Sequence, residues 1–201
     1  MSDAVNVEKL KQLSAHVPNL VLIGGCATYA GSRPICTHDI DVIAQQWMKT
    51  MIANVVDSYS ENTVHGGLKG SGMFNGTHID VYYLYDSKLY GDLTLDVTPL
   101  ADYATGEWEG FLLLCPEAML VSKLPAVVGR KDKPQGKKDC LTILNLIQQN
   151  IDPALCWKIF VRAIETDSPE KDWEMCSSVL QNLAPTSTDS ETIRVFFRNA
   201  Y

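Results

Sequence analysis

The chain of 201 residues lacks the features of a membrane or secreted protein. No uninterrupted apolar run approaches the ~20 residues that a membrane-spanning helix needs. The first residues, MSDAVNVEKLKQL, do not combine a basic start with an apolar block, as a secretory signal does. None of the six cysteines is in a CxxC pair, which argues against a structural zinc cluster. We therefore expect a cytoplasmic protein whose cysteines are reduced and mostly buried.

Positive charge is also scarce, with 17 Lys and Arg against 24 Asp and Glu and a net charge of −7. This balance argues against a broad nucleic-acid-coating surface. The exception is the segment 130–138, in which five of nine residues are basic. It is either a solvated loop or a contact for a nucleoside triphosphate or an RNA.

Apolar residues make up 46% of the chain, enough for a sizeable core, and their pattern changes near residue 115. Before it we predict helices over 3–15, 26–30 and 45–58, strands over 19–23 and 40–44, and a hairpin over 63–85 that turns at Asn75-Gly76. The Gly-rich run 66–72 lacks the Lys-Ser/Thr order of a P-loop and is interpreted as hairpin flexibility.

Residues 116–201 are predicted to be helical. Pro116 suits the first turn of one helix, and Lys138–Asn150 forms another. Asp152-Pro153 and Ser168-Pro169 each pair a capping residue with a proline, and Thr188–Glu191 has a capping-box pattern. The predicted fold class is thus α/β (α+β), a small mixed sheet with flanking helices over 1–115 followed by a helical region over 116–201.

Three aspartates in apolar strands are the candidate catalytic and metal-binding residues. Asp39 and Asp41 alternate along one strand and so project from the same face, and Asp80 lies in a similar strand. Like charges on one face repel unless a cation lies between them, and Mg²⁺ takes one or two carboxylates and leaves its other positions to water and phosphate. The alternative is that these are ordinary strand charges facing solvent.

The strand that precedes them ends at Gly24-Gly25, where backbone amides can approach phosphates closely. Together, Gly24-Gly25, Asp39-x-Asp41 and Asp80 resemble the nucleotidyltransferase superfamily, which is related in fold to DNA polymerase beta. The segment Arg33-Pro-x-x-Thr37-x-Asp39-Ile-Asp41 is similar to the branch that contains the AbiEii-type toxins. Lys123, Arg130 and Lys138-Asp139 match further motifs of that branch.

The resemblance implies transfer of a nucleoside monophosphate from a nucleoside triphosphate to an acceptor, with Mg²⁺ as cofactor and Mn²⁺ as the alternative. It implies that Gly24, Gly25, Lys123 and Arg130 bind the nucleotide. RNA such as tRNA, a protein or a small molecule are the candidate acceptors, and an antitoxin-like protein is a candidate partner. A second hypothesis is a catalytically inactive module of the same fold that binds a nucleotide or a protein.

Residues in the helical region carry alternatives of their own. Lys123 is either a triphosphate contact or an ordinary helix lysine. Pro125, between Lys123 and Arg130, removes a helical hydrogen bond, and a kink there would separate the two side chains. Asp139 is either a helix N-terminal charge or a base that takes a proton from the acceptor.

Overall fold

The computed structural model describes residues 7–31, 39–64 and 67–201. These form two compact units. The first contains the described residues up to Lys88 together with Leu100–Cys115, and the second contains Leu89–Pro99 and Pro116–Tyr201. The division into domains after residue 115 stays a prediction.

Most strands lie in the first unit, as the apolar pattern predicts. In chain order the strands are β1 (Val21–Ile23), β2 (Asp39–Ala44), β3 (Asp57–Val64), β4 (Gly67–Phe74), β5 (Thr77–Tyr83), β6 (Lys88–Tyr90), β7 (Thr94–Asp96), β8 (Ala104–Trp108) and β9 (Phe111–Leu114).

Helices flank these strands and dominate the C-terminal part of the chain. A 3₁₀ helix covers Gln46–Met48, and the α-helices are α1 (Val7–His16), α2 (Gly24–Gly31), α3 (Lys49–Val55), α4 (Thr98–Ala101), α5 (Pro116–Gly129), α6 (Pro134–Ile147), α7 (Pro153–Ala163), α8 (Pro169–Leu183) and α9 (Ser187–Arg198). None of the helices in the described ranges is long and apolar enough to cross a membrane.

Seven of the described strands form one mixed sheet in the order β3-β4-β5-β2-β1-β9-β8. β2 is parallel to β5 and antiparallel to β1, and β4 is antiparallel to β5. On β2 and β5, alternate residues point to one face and are fully buried: Ile40, Val42, Ile79, Val81 and Tyr83. The predicted fold class, a mixed sheet with flanking helices and a helical C-terminal region, is confirmed.

The hairpin predicted over 63–85 is confirmed over β4 and β5, whereas residues 63 and 64 belong to β3. β4 and β5 turn at Asn75-Gly76, and both turn residues have positive φ, 47° and 75°, as this type of tight turn requires. The helix predicted over 45–58 is too long, however. After the 3₁₀ helix and α3 the backbone becomes extended at Val56, and Asp57 begins β3. Pairing with β4 outweighs the local helical pattern in this segment.

The interpretation of the Gly-rich run as flexible is wrong for its described part, because this part is strand β4. A Cβ atom on Gly70 would overlap the ring of Tyr59, and a Cβ on Gly72 would lie 2.5 Å from Val56 Cγ1. These glycines therefore allow neighbouring side chains and backbone to pack directly on the sheet.

The second unit is held together by an aromatic cluster. Trp173 is almost completely buried, and its ring centroid lies 4.4 Å from that of Phe197 and 5.0 Å from that of Phe160. Its Nε1 donates a hydrogen bond to the Phe197 carbonyl over 3.1 Å, so the one polar atom of the ring is satisfied.

The predicted caps of this unit are partly confirmed. Asp152 accepts a hydrogen bond from the Ala154 amide over 2.9 Å. Ser168 occupies the N-cap position of α8 without a capping hydrogen bond from its side chain. The last helix begins earlier than predicted, because Thr186 provides the cap and accepts a hydrogen bond from the Asp189 amide over 3.1 Å.

None of the cysteines in the described residues forms a disulfide, and Cys26, Cys140, Cys156 and Cys176 are buried. Burial raises the pKa of the Cys140 thiol to about 11 and raises that of Cys176 further. Cys115 is partly exposed, and Cys36 lies outside the described residues.

We expect Cys140 and Cys176 to resist alkylation by iodoacetamide at pH 8 in the native protein. The reactive species is the thiolate, and at a pKa of about 11 only about one molecule in a thousand carries it at that pH. Mass spectrometry of peptides over a time course checks this, with the denatured protein as the control in which all six cysteines react. Native labelling of Cys176 as fast as that of Cys115 would contradict the burial.

Candidate active site

Two of the predicted site residues are direct neighbours in the sheet. Strands β2 and β5 are parallel and in a register that pairs Asp41 with Asp80 and Asp39 with His78. Neighbouring strands lie about 4.8 Å apart, and paired residues share a face. The three aspartates therefore lie on the same face of the sheet, opposite the buried residues of β2 and β5. Asp39 is exposed, whereas Asp41 and Asp80 are half-buried.

Gly24 lies directly against one of these carboxylates. It follows β1 and begins α2 with a φ of +67°, a conformation that favours glycine. A Cβ atom at this position would overlap Oδ2 of Asp41. α2 is also tied to β2, because the Cys26 thiol donates to the Asp39 carbonyl over 3.4 Å. The predicted glycine turn thus packs against the aspartate strand, and Gly25 is the next residue of the same helix start.

Asp80 is held by a lysine that the sequence analysis did not identify. Lys69 Nζ on β4 lies 2.6 Å from Asp80 Oδ2. The other oxygen, Oδ1, is buried, and among the described residues none forms a hydrogen bond with it. His78 Nδ1 lies 3.8 Å from this oxygen. One carboxylate oxygen is therefore paired with a cation and the other is enclosed without a partner at hydrogen-bond distance.

The donors present suit a hard cation, since carboxylate oxygens are the ligands that Mg²⁺ prefers. The unbonded oxygen of Asp80, next in register to Asp41, supports this fit. In residues 7–31, 39–64 and 67–201, however, no three His, Cys, Asp or Glu side chains are gathered closely enough to form a metal cluster. The register of β2 and β5 thus places two carboxylates side by side, but the Asp80 carboxylate is paired with Lys69. Metal binding therefore stays a prediction.

Lys123 and Arg130 belong to the second unit, and both approach Asp139. Lys123 Nζ lies 3.7 Å from Oδ1, and the Arg130 guanidinium lies 3.3 Å from Oδ2. Pro125 lies inside α5, yet both cations reach the same carboxylate, so the proline does not separate them. The interpretation of Asp139 as a helix N-terminal charge is wrong, because α6 begins at Pro134 and places Asp139 beyond the first turn. Asp139 is buried between its two cations.

The position of Lys69 could have been derived from the predicted hairpin. A two-residue turn at Asn75-Gly76 pairs Phe74 with Thr77 and therefore Lys69 with Tyr82. Lys69 is then diagonal to Asp80 on the same face, within reach of a long side chain. Arg33 and Thr37, which carry part of the family resemblance, lie outside the described residues.

Comparison with known proteins gives distant structural likenesses. No protein-family model matches the chain, and no curated protein matches it significantly. The structure is similar to an antigenic nucleotidyltransferase-like protein from Paracoccidioides brasiliensis, with a TM-score of 0.48, 14% identity, and coverage of 94% of this chain and 90% of the other. It is also similar to the antibiotic-resistance factor ANT(2'')-Ia, with a TM-score of 0.40, 13% identity, and coverage of 97% and 92%. Neither likeness assigns a role to any residue of this chain.

Replacing Gly24 with alanine should destabilise the first unit by more than the ~1–2 kcal/mol that a left-handed backbone costs a residue with a Cβ atom. The added methyl group would also displace Asp41. Gly76→Ala is the matched control, because its φ is +75° and nothing lies within 4 Å of an added Cβ. Urea denaturation measures both variants. Equal losses of stability would show that Asp41 does not approach Gly24.

Asp139→Asn should lower the free energy of unfolding by about 1–3 kcal/mol. This is less than the ~3–5 kcal/mol for breaking a fully buried ion pair, because the Arg130 side chain is 51% exposed. Lys123, only 12% exposed, would be left without its charge partner. Asp132→Asn removes the same charge at an exposed position and serves as the control in urea denaturation. If Asp139→Asn were as stable as this control, Asp139 would not be stabilised by its ion pairs with Lys123 and Arg130.

Proposed function

We propose that the protein is a Mg²⁺-dependent nucleotidyltransferase that transfers a nucleoside monophosphate from a nucleoside triphosphate to an acceptor. The observation that carries the proposal is the pairing of Asp41 with Asp80 across parallel strands, with Asp39 on the same face. The glycine start of α2 packs against Asp41 and supports the same assignment. Two neighbouring carboxylates are electrostatically costly in a sheet, and a polyphosphate-bound cation is a ligand that would offset this cost.

In this proposal each residue has a defined task. Asp39 and Asp41 bind Mg²⁺, which when bound supplies positive charge to the phosphate oxygens. The amides of Gly24 and Gly25 hold a phosphate at the start of α2. The acceptor oxygen forms a bond to the α-phosphorus, the bond from that phosphorus to the bridging oxygen breaks, and pyrophosphate leaves. Asp80 orients the acceptor and takes its proton, or completes the metal site.

Other parts of the proposal come only from the resemblance to the AbiEii-type branch. These are the contacts of Lys123 and Arg130 with the triphosphate, an RNA, protein or small-molecule acceptor and an antitoxin-like partner. The proposed cytoplasmic location comes instead from the cysteine pattern of the sequence. The ion pairs of Lys123 and Arg130 with Asp139 mean that such contacts would compete with an existing partner. The basic segment 130–138 supports a polyanionic acceptor by its charge.

The second candidate function is a non-catalytic module of the same kind that binds a nucleotide or a protein. Two observations favour it. Asp80 is paired with Lys69, and the described residues do not gather three metal ligands. In such a module Lys69 would permanently neutralise the carboxylate that catalysis needs. Turnover separates the two candidates, since both could bind a nucleotide.

The test is incubation of the protein with each α-labelled nucleoside triphosphate, Mg²⁺ and a cell extract. Label should move to one acceptor class with the wild type. The double variant Asp39→Asn with Asp41→Asn should lose at least about 100-fold in rate, because the metal contributes several kcal/mol to phosphoryl transfer. The double variant Asp167→Asn with Glu170→Gln removes two negative charges at exposed positions outside the proposed site and should keep the wild-type rate.

Wild-type activity in the Asp39/Asp41 variant, with its fold intact by circular dichroism, would refute the metal assignment. Absence of transfer by the wild type with every nucleotide would favour the binding module. The chemical class that receives the label, separated as RNA, protein or small molecule, identifies the acceptor.

A further inference from the structure

Lys69 occupies a defined place beside the aspartates. It lies on β4, directly before Gly70. Its Nζ is 2.6 Å from Asp80 Oδ2 and 5.4 Å from the centroid of the Tyr82 ring. Its side chain is 29% exposed and that of Asp80 is 13% exposed. The ion pair is thus partly shielded from water, where a charge interaction is stronger than at the open surface.

Lys69 lies beside three acidic side chains. Asp41 and Asp80 are paired across two strands, and Asp39 is two residues away on the same face. The Lys69 ammonium group offsets one of these negative charges. In this arrangement Oδ2 is occupied by Lys69, and Oδ1 is buried without a hydrogen bond among the described residues, so a cation can bind both oxygens of Asp80 only if Lys69 leaves.

We propose that Lys69 is the internal counter-cation of Asp80 and is exchanged for a divalent cation when the carboxylate site binds one. Lys69 thereby sets the metal affinity of the site as a positioning residue. The inference rests on the proposed function, since it requires that the aspartates bind a metal.

The chemistry of the two cations makes such an exchange feasible. A divalent ion carries twice the charge of an ammonium group and binds carboxylate oxygens directly. Lysine is a point charge on a flexible stem, and Lys69 can remain near the Tyr82 ring after it leaves Asp80. In the absence of a metal, the ion pair keeps the neighbouring negative charges compatible with the sheet.

The experiment measures Mn²⁺ binding to the full chain by electron paramagnetic resonance, and thermal unfolding with and without Mn²⁺. Lys69→Met removes the charge and keeps the apolar stem. It should bind Mn²⁺ about tenfold more tightly than the wild type, because the competing cation is gone. Without metal, Lys69→Met should also unfold at a lower temperature than the wild type. Mn²⁺ should raise its unfolding temperature by more than it raises that of the wild type. Lys69→Arg retains the charge and should remain near the wild type.

Two further variants isolate the cause. Lys158→Met makes the same change in net charge at an exposed position of α7 and should bind Mn²⁺ like the wild type. In an Asp80→Asn background, the change in Mn²⁺ affinity caused by Lys69→Met should shrink to the change caused by Lys158→Met. If Lys69→Met does not fold, Lys69→Gln provides the same comparison with a polar side chain.

Tighter binding by Lys69→Met that depends on Asp80 supports the exchange. Binding equal to or weaker than that of the wild type overturns it and leaves the proposed metal site standing. If neither the wild type nor Lys69→Met binds Mn²⁺, the metal site of the proposed function fails and the exchange fails with it.

Discussion

The parallel pairing of β2 with β5 is the constraint on which the candidate site depends. It places Asp41 directly beside Asp80 on one face, while the opposite face of the same strands is buried in the apolar core. A shift of the register by one residue would turn the aspartates into that core and the apolar residues out of it. The apolar residues thus fix the position of the charged ones, and the repulsion between the charges must be offset locally.

Two neighbouring elements accommodate these charges by different means. Gly24 makes room for the carboxylate of Asp41, because its missing Cβ and its left-handed backbone let β1 turn directly into α2. Lys69 supplies a positive charge to Asp80 from the adjacent strand. Steric accommodation on one side and electrostatic compensation on the other allow acidic residues to remain half-buried in a sheet. The second unit uses a related arrangement, in which Asp139 lies between two cations.

Much of the fold could be predicted because its signals are local. The Asn75-Gly76 turn defines a hairpin by backbone conformation alone, and Asp152 with Pro153 marks the start of α7. Two of the wrong predictions depended on distant partners. Residue 57 begins a strand because β4 lies beside it, and the glycines of β4 serve close packing against Tyr59 and Val56, which no local pattern reveals.

For the candidate site, the residue types and their alternation along a strand follow from the sequence alone. Asp39 and Asp41 must share a face because strand geometry has a period of two. The packing of separate elements, in contrast, brings Asp80 beside Asp41 and places Asp139 against Lys123 and Arg130. Each of these contacts joins residues on separate strands or helices, so each depends on how those elements pack, whereas an alternation along one strand does not.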